Sequence, residues 1–124
     1  MMTINTNLAI EGYSLIVDKR TEKAFYAAES NRKFHRLADQ WRSERRATSL
    51  VVDMAVHPAY QSIIGMGPTA VPLILHELRR SPDHWFWALR SITGENPVPE
   101  ESRGNMREMA EAWLTWGAAK GYVD

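Results

Sequence analysis

Residues 81–99 read SPDHWFWALRSITGENPVP, with Trp85, Phe86 and Trp87 side by side. Successive side chains on an α-helix are about 100° apart, so three adjacent large aromatics cannot all face one neighbour. Ser81-Pro82-Asp83 carries the chemistry of a helix start: a hydroxyl for the N-cap, a proline for the first position and an acid for the first turn. Gly94 stands where a left-handed residue closes a helix. The stretch therefore predicts one helix with Trp85, Ala88, Leu89 and Ile92 turned inward. At least one of Phe86 and Trp87 must then face something other than that helix's nearest neighbour. Either the helix is covered on most sides, by an N-terminal arm and the proline-rich loop, or one aromatic is left for a partner. Arg90 follows Phe86 by one helical turn and is placed to stack on it.

Helical periodicity extends over most of the chain. From Thr21, a candidate N-cap, Ala24, Phe25 and Ala28 recur at helical spacing, followed by Phe34, Leu37, Ala38 and Trp41. Ser30-Asn31 allows either one helix or two. The opposite face carries Arg32, Lys33, Arg36, Arg42, Arg45 and Arg46, which reads as a solvated basic face or as a contact for phosphate or an acidic partner. SLVVDMAV, residues 49–56, suits a helix or a buried strand, because its valines are β-branched. His57-Pro58 restarts the chain, Tyr60, Ile63 and Ile64 form a stripe, and Gly65 and Gly67 end it. Thr69 is a candidate cap for a helix bearing Val71, Ile74, Leu75 and Leu78. Asn105, with Glu108 three positions on, opens a last helix whose stripe is Met106, Met109, Ala110, Trp113 and either Trp116 or Gly117. Gly121 closes it.

The N-terminal region has a different pattern. Leu8 and Ile10 alternate with polar or small neighbours, and Tyr13, Leu15, Ile16 and Val17 follow Gly12. This predicts an extended strand or hairpin arm over residues 1–20, ahead of a helical domain over 21–124. An isolated hairpin is marginal in water, so the arm requires the helices or another chain. The expected fold is mainly α, a compact bundle of four to five helices with that arm attached.

At 124 residues the chain is expected to form a single domain. No apolar run approaches bilayer length, no secretory signal is read, and there is no cysteine for disulfides or thiolate zinc, which together fit a cytoplasmic protein. Net charge is zero but unevenly spread. Residues 18–46 hold nine Lys/Arg against five Asp/Glu, and residues 95–124 hold three against six. That polarity can orient a partner or a second copy.

MGPTAVPLILHEL followed by DHWFWALRSITGE resembles a HEAT-like repeat, the antiparallel helix pair of α-solenoids, over residues 65–95. The resemblance is carried by Gly67, Ala70, Val71, Pro72, Leu75, Leu78, Ala88, Leu89 and Gly94. The segment 57–122 also resembles a small uncharacterised bacterial protein family. What these resemblances imply is a helical scaffold with a binding role, and they carry no catalytic residue across.

No constellation of residues points to chemistry. His76 and His84 lack the spaced carboxylate that a metal site requires. Asp83-His84 are sequence neighbours that do not face one another on a helix. Ser49, Ser62 and Ser91 lack a nucleophile-elbow context. GMGPTA lacks the lysine of a phosphate loop and the third glycine of a dinucleotide fingerprint. No catalytic residue, metal or cofactor is therefore expected. The leading expectation is a non-catalytic protein–protein interaction module of adaptor, inhibitor or antitoxin-like type, which binds a protein partner or self-associates through the arm and exposed aromatics. Its candidate contacts are Tyr13, Leu15, Phe86, Trp87 and Arg90. The alternative is nucleic-acid binding through Arg32, Lys33, Arg36, Arg42, Arg45 and Arg46.

Overall fold

Helices here begin and end where local hydrogen-bond chemistry lets them, and the first is capped by Asp18. Its Oδ1 accepts the Thr21 N–H at 2.8 Å, and these hydrogen bonds to Thr21 hold the Asp18 carboxyl below the usual carboxylate range. The structure, a computed structural model, describes residues 18–45 and 50–123. Among them are six α-helices, two 3-10 turns and no strand. Residues 1–17 of the β arm expected over 1–20 lie outside the described residues. Of its last positions, Asp18 is a helix cap and Lys19 and Arg20 are already helical, so Thr21 is not the cap.

The chain divides into two units, residues 1–31 and 32–124. In the first, the described residues are Asp18 and the opening turns of α1 (Lys19–Glu44), which runs through Ser30-Asn31 without a break. Phe25 and Tyr26 meet edge to face at 5.5 Å there and are both exposed.

The second unit is a helical bundle. The rest of α1 buries Phe34, Leu37, Ala38 and Trp41, the stripe read from the sequence. The SLVVDMAV segment resolves as a short helix, α2 (Val51–Ala55). It stops because Pro58 holds His57 in extended geometry (φ −59°, ψ 136°), and Pro58 then opens α3 (Pro58–Gly65). His57 Nδ1 accepts the Ala59 N–H at 3.0 Å, so the ring caps α3. That bond places the ring proton on Nε2, 3.0 Å from Glu44 Oε1, where it donates. The division of 50–66 into two helices raises the count above the four or five expected.

Gly67, at φ 71°, leads a 3-10 turn (Gly67–Thr69) directly into α4 (Ala70–Arg80). Thr69 is therefore itself helical and provides no side-chain cap. The next helix is α5 (Phe86–Thr93), and it starts later than its signals suggested. Ser81 is consumed in ending α4, where its N–H meets the Glu77 carbonyl at 2.8 Å. Asp83 is held elsewhere, so Trp85 becomes the N-cap, and its carbonyl accepts the Leu89 N–H at 3.0 Å. Gly94, at φ 73°, ends α5 as expected. Asn105 caps α6 (Met106–Lys120) through Oδ1, which accepts the Glu108 N–H at 3.0 Å.

α4 packs chiefly along α6, and α5 along α3. The helices carrying the HEAT-like residues, α4 and α5, touch less extensively. Gly117 permits the α4–α6 approach: a Cβ there would lie 2.5 Å from Leu75 Cδ1, inside a filled core. Of the alternatives at that stripe position, Gly117 is therefore the buried one. Trp116 is half-buried and stacks on Tyr122 at 5.5 Å.

The core centre is aromatic. Trp85 lies 4.7 Å from Trp41, 5.6 Å from Phe34 and 5.8 Å from Tyr60, centroid to centroid, stacked on the last at 9°. Tyr60 Oη donates to the His84 carbonyl and accepts the Ala88 N–H, both at 2.9 Å, and so satisfies a donor in the first turn of α5. Burial pushes its phenol far above the ordinary tyrosine range. Trp41 Nε1 donates to the Met54 carbonyl at 3.0 Å.

Candidate functional site

Once Trp85 is committed to the core as the cap residue, the two following aromatics separate. Phe86 is buried at 9% exposure, while Trp87 is 44% exposed. Both line a groove of about 400 Å³ whose walls are α5, the loop 94–104 and the start of α6. Its apolar lining includes Val98, Met106, Met109 and Trp113, and its cations are Arg90 and Arg103. A second depression of about 390 Å³ adjoins it, with Trp87, Arg90 and Asn96 lining both.

The loop beside these depressions is pinned by Glu95. One carboxylate oxygen accepts from Trp116 Nε1 at 3.1 Å, and the other lies 3.7 Å from Lys120 Nζ. Within the loop, Asn96 Oδ1 accepts the Val98 N–H at 3.3 Å. Arg103 is shared with exposed Glu100 at 3.3 Å. Arg90 is exposed and has no ion-pair partner among the described residues. It does not stack on Phe86. Among the described residues the guanidiniums over rings are Arg45 on Trp41, at 4.2 Å, and Arg42 on Trp85, at 5.7 Å.

Those two arginines alter the reading of the basic helix face. Arg45 grips Asp83 with two hydrogen bonds of 2.9 and 3.0 Å, in the forked geometry suited to a carboxylate. Arg42 donates to Glu77 at 2.6 Å and lies 3.7 Å from Asp83. Both charges are thus used within the bundle and are not presented to phosphate. Arg32, Lys33 and Arg36 lie on the exposed side of α1, and Arg46 lies outside the described residues. Tyr13 and Leu15 also lie outside them.

Asp83 shows why its first-turn role was not realised. Burial alone would raise its carboxyl, but the Arg45 hydrogen bonds, the His84 N–H at 2.7 Å and the Arg45 charge outweigh burial and hold it below the ordinary range. The folded chain therefore keeps Asp83 charged where the unfolded chain, near pH 3.9, takes up a proton. That stabilisation is complete above about pH 3.9 and is lost as pH falls through the lower folded value. Asp83→Asn is expected to flatten this acid-side loss in a melting-temperature series from neutral pH downward. An unchanged acid limb would contradict the assignment.

His76 is exposed and His84 half-buried, and among the described residues no group of three or more His, Cys, Asp or Glu side chains is placed to hold a metal ion. No helix among them is long and apolar enough to cross a membrane. Phe86, Trp87 and Arg90 are brought together at the groove. Val98, Met106, Met109 and Arg103 join them there without having been anticipated as contacts. Met106 and Met109 pack against the core as their place on the inward stripe requires, and being half-buried they also line the groove, a role set by the α5–loop–α6 arrangement that periodicity does not encode. Compared with known proteins, the chain matches no family model, no curated protein and no solved structure.

Proposed function

We propose that the chain is a non-catalytic protein–protein interaction module of adaptor or inhibitor type, which binds its partner at the α5–loop–α6 groove. The observation that carries this reading is Trp87, a large aromatic 44% exposed on the rim of an apolar groove, with Phe86 beneath and Arg90 alongside. Exposed aromatics bordering an apolar depression are the side chains that most often anchor a partner. Valines 51, 52 and 56 extend the exposed apolar surface of the same unit, and Val51 itself lines the groove. The N-terminal arm, with Tyr13 and Leu15, belongs to the reading on its sequence pattern. Nucleic-acid binding is less favoured, because Arg42 and Arg45 are engaged by Glu77 and Asp83.

The test is matched affinity capture from the native host with three baits: the intact chain, Trp87→Ala, and a chain lacking residues 1–17 so that Asp18 still caps α1. A specific protein retained by the intact chain and lost with Trp87→Ala, at unchanged melting temperature, is the expected result. Loss with the truncated bait as well would include the arm in the contact. Identical capture by the intact and Trp87→Ala baits would overturn the proposal.

A further inference from the structure

The groove also specifies a chemistry for what it binds. Resting on the interaction reading above, we infer that its occupant is a peptide segment of another protein that combines a large apolar side chain with a nearby carboxylate. Three features support this. The lining is apolar around Phe86, Trp87, Val98, Met106 and Met109, so an aliphatic or aromatic side chain gains by leaving water there. Two methionines on one wall let that wall adapt to different side chains, which favours a class of segments over one rigid shape.

The charges are the second feature. The residues lining the larger depression include Arg90 and Arg103 and no acid. Arg103 shares its charge with Glu100, whereas Arg90 has no ion-pair partner among the described residues. A guanidinium beside an apolar surface forms its strongest contact with a carboxylate, which it can meet with two parallel hydrogen bonds. Glu95, the acid of the adjoining depression, is already held by Trp116 and Lys120.

The third is placement. Trp87 and Arg90 line both depressions and exposed Val51 lines the larger, so the aromatic anchor and the cation stand side by side on an open surface that an extended segment can lie across. Two arginines over an apolar floor are a poor match for a nucleic-acid strand, which draws on many cations along its backbone.

The experiment is selection of a displayed library of short random peptides on the full chain. Binding of enriched peptides is then measured on the intact protein, Trp87→Ala, Arg90→Glu and Arg90→Lys, with helicity checked by circular dichroism. The expected peptides pair Leu, Ile or Phe with Asp or Glu. Their affinity falls about tenfold or more on Arg90→Glu or on amidation of the acid, with partial retention in Arg90→Lys. Enriched peptides that need Trp87 but carry no acid, or that ignore Arg90→Glu, would overturn the carboxylate inference and leave the interaction reading intact. Enriched peptides indifferent to Trp87→Ala, or no enrichment at all, would overturn both.

Discussion

Arg42→Met is expected to destabilise the protein by about 3 kcal/mol, lowering its melting temperature by about 10 °C. Glu77 sits on α4 with its side chain only 1% exposed, and Arg42 is its close partner at 2.6 Å. Arg80 reaches the other carboxylate oxygen at 3.4 Å from an exposed position and cannot replace it. Removing Arg42 therefore strands a buried charge, which costs far more than the pair contributes over a neutral core. The figure is at the low end for a broken buried pair because Arg42 itself is 29% exposed. The double variant Arg42→Met with Glu77→Leu is expected to regain most of the loss, since it leaves no charge behind. Urea titrations of both single variants and the double provide the cycle. A cost below about 0.5 kcal/mol for Arg42→Met would mean that Glu77 is stabilised by something other than this contact.

Trp85→Ala is expected to cost about 4 kcal/mol, while Trp87→Ala, two positions on, should change stability by less than about 0.5 kcal/mol. Trp85 is fully buried among Phe34, Trp41 and Tyr60, so truncation opens a cavity where helices α1, α3 and α5 meet. Its Nε1 is buried with no hydrogen-bond partner among the described residues. Trp85→Phe removes that unsatisfied donor along with some volume and is therefore expected to cost clearly less than alanine. Chemical denaturation of the three variants separates these expectations. Equal losses at positions 85 and 87 would refute the division of labour between the two tryptophans.

The aromatic run at 85–87 marks how far sequence pattern reaches. That not all three side chains can face one core follows from helical geometry, and Trp85, Ala88 and Leu89 are all fully buried as the periodicity requires. Which of the remaining two is exposed does not follow from it. Helical rotation alone leaves Phe86 and Trp87 both off the main stripe. Packing of the bundle takes Phe86 into the core cluster and leaves Trp87 exposed, both bordering the groove. The start of α5 behaved similarly. Ser81-Pro82-Asp83 has sound capping chemistry, but termination of α4 and the pull of Arg45 removed two of its three residues from that task.

What the sequence determines by itself here is local: the stripe Phe34–Leu37–Ala38–Trp41, the restart at His57-Pro58, the cap at Asn105 and the left-handed closures at Gly94 and Gly121. Each depends on groups within about one helical turn, so neighbouring residues carry the whole signal. Tertiary structure decided the rest. Arg45 finds Asp83 38 residues away, and Arg42 finds Glu77 35 residues away. Those pairings draw two of the six cations of a face that reads as a phosphate contact into an internal clamp. They also bury a glutamate that nothing in its neighbourhood marks as different from a surface acid. The groove at Trp87 arises in the same way, from α5, a loop held by Glu95 and the first turns of α6 meeting in space. No period in the chain records that meeting, because it is set by which helix faces pack together.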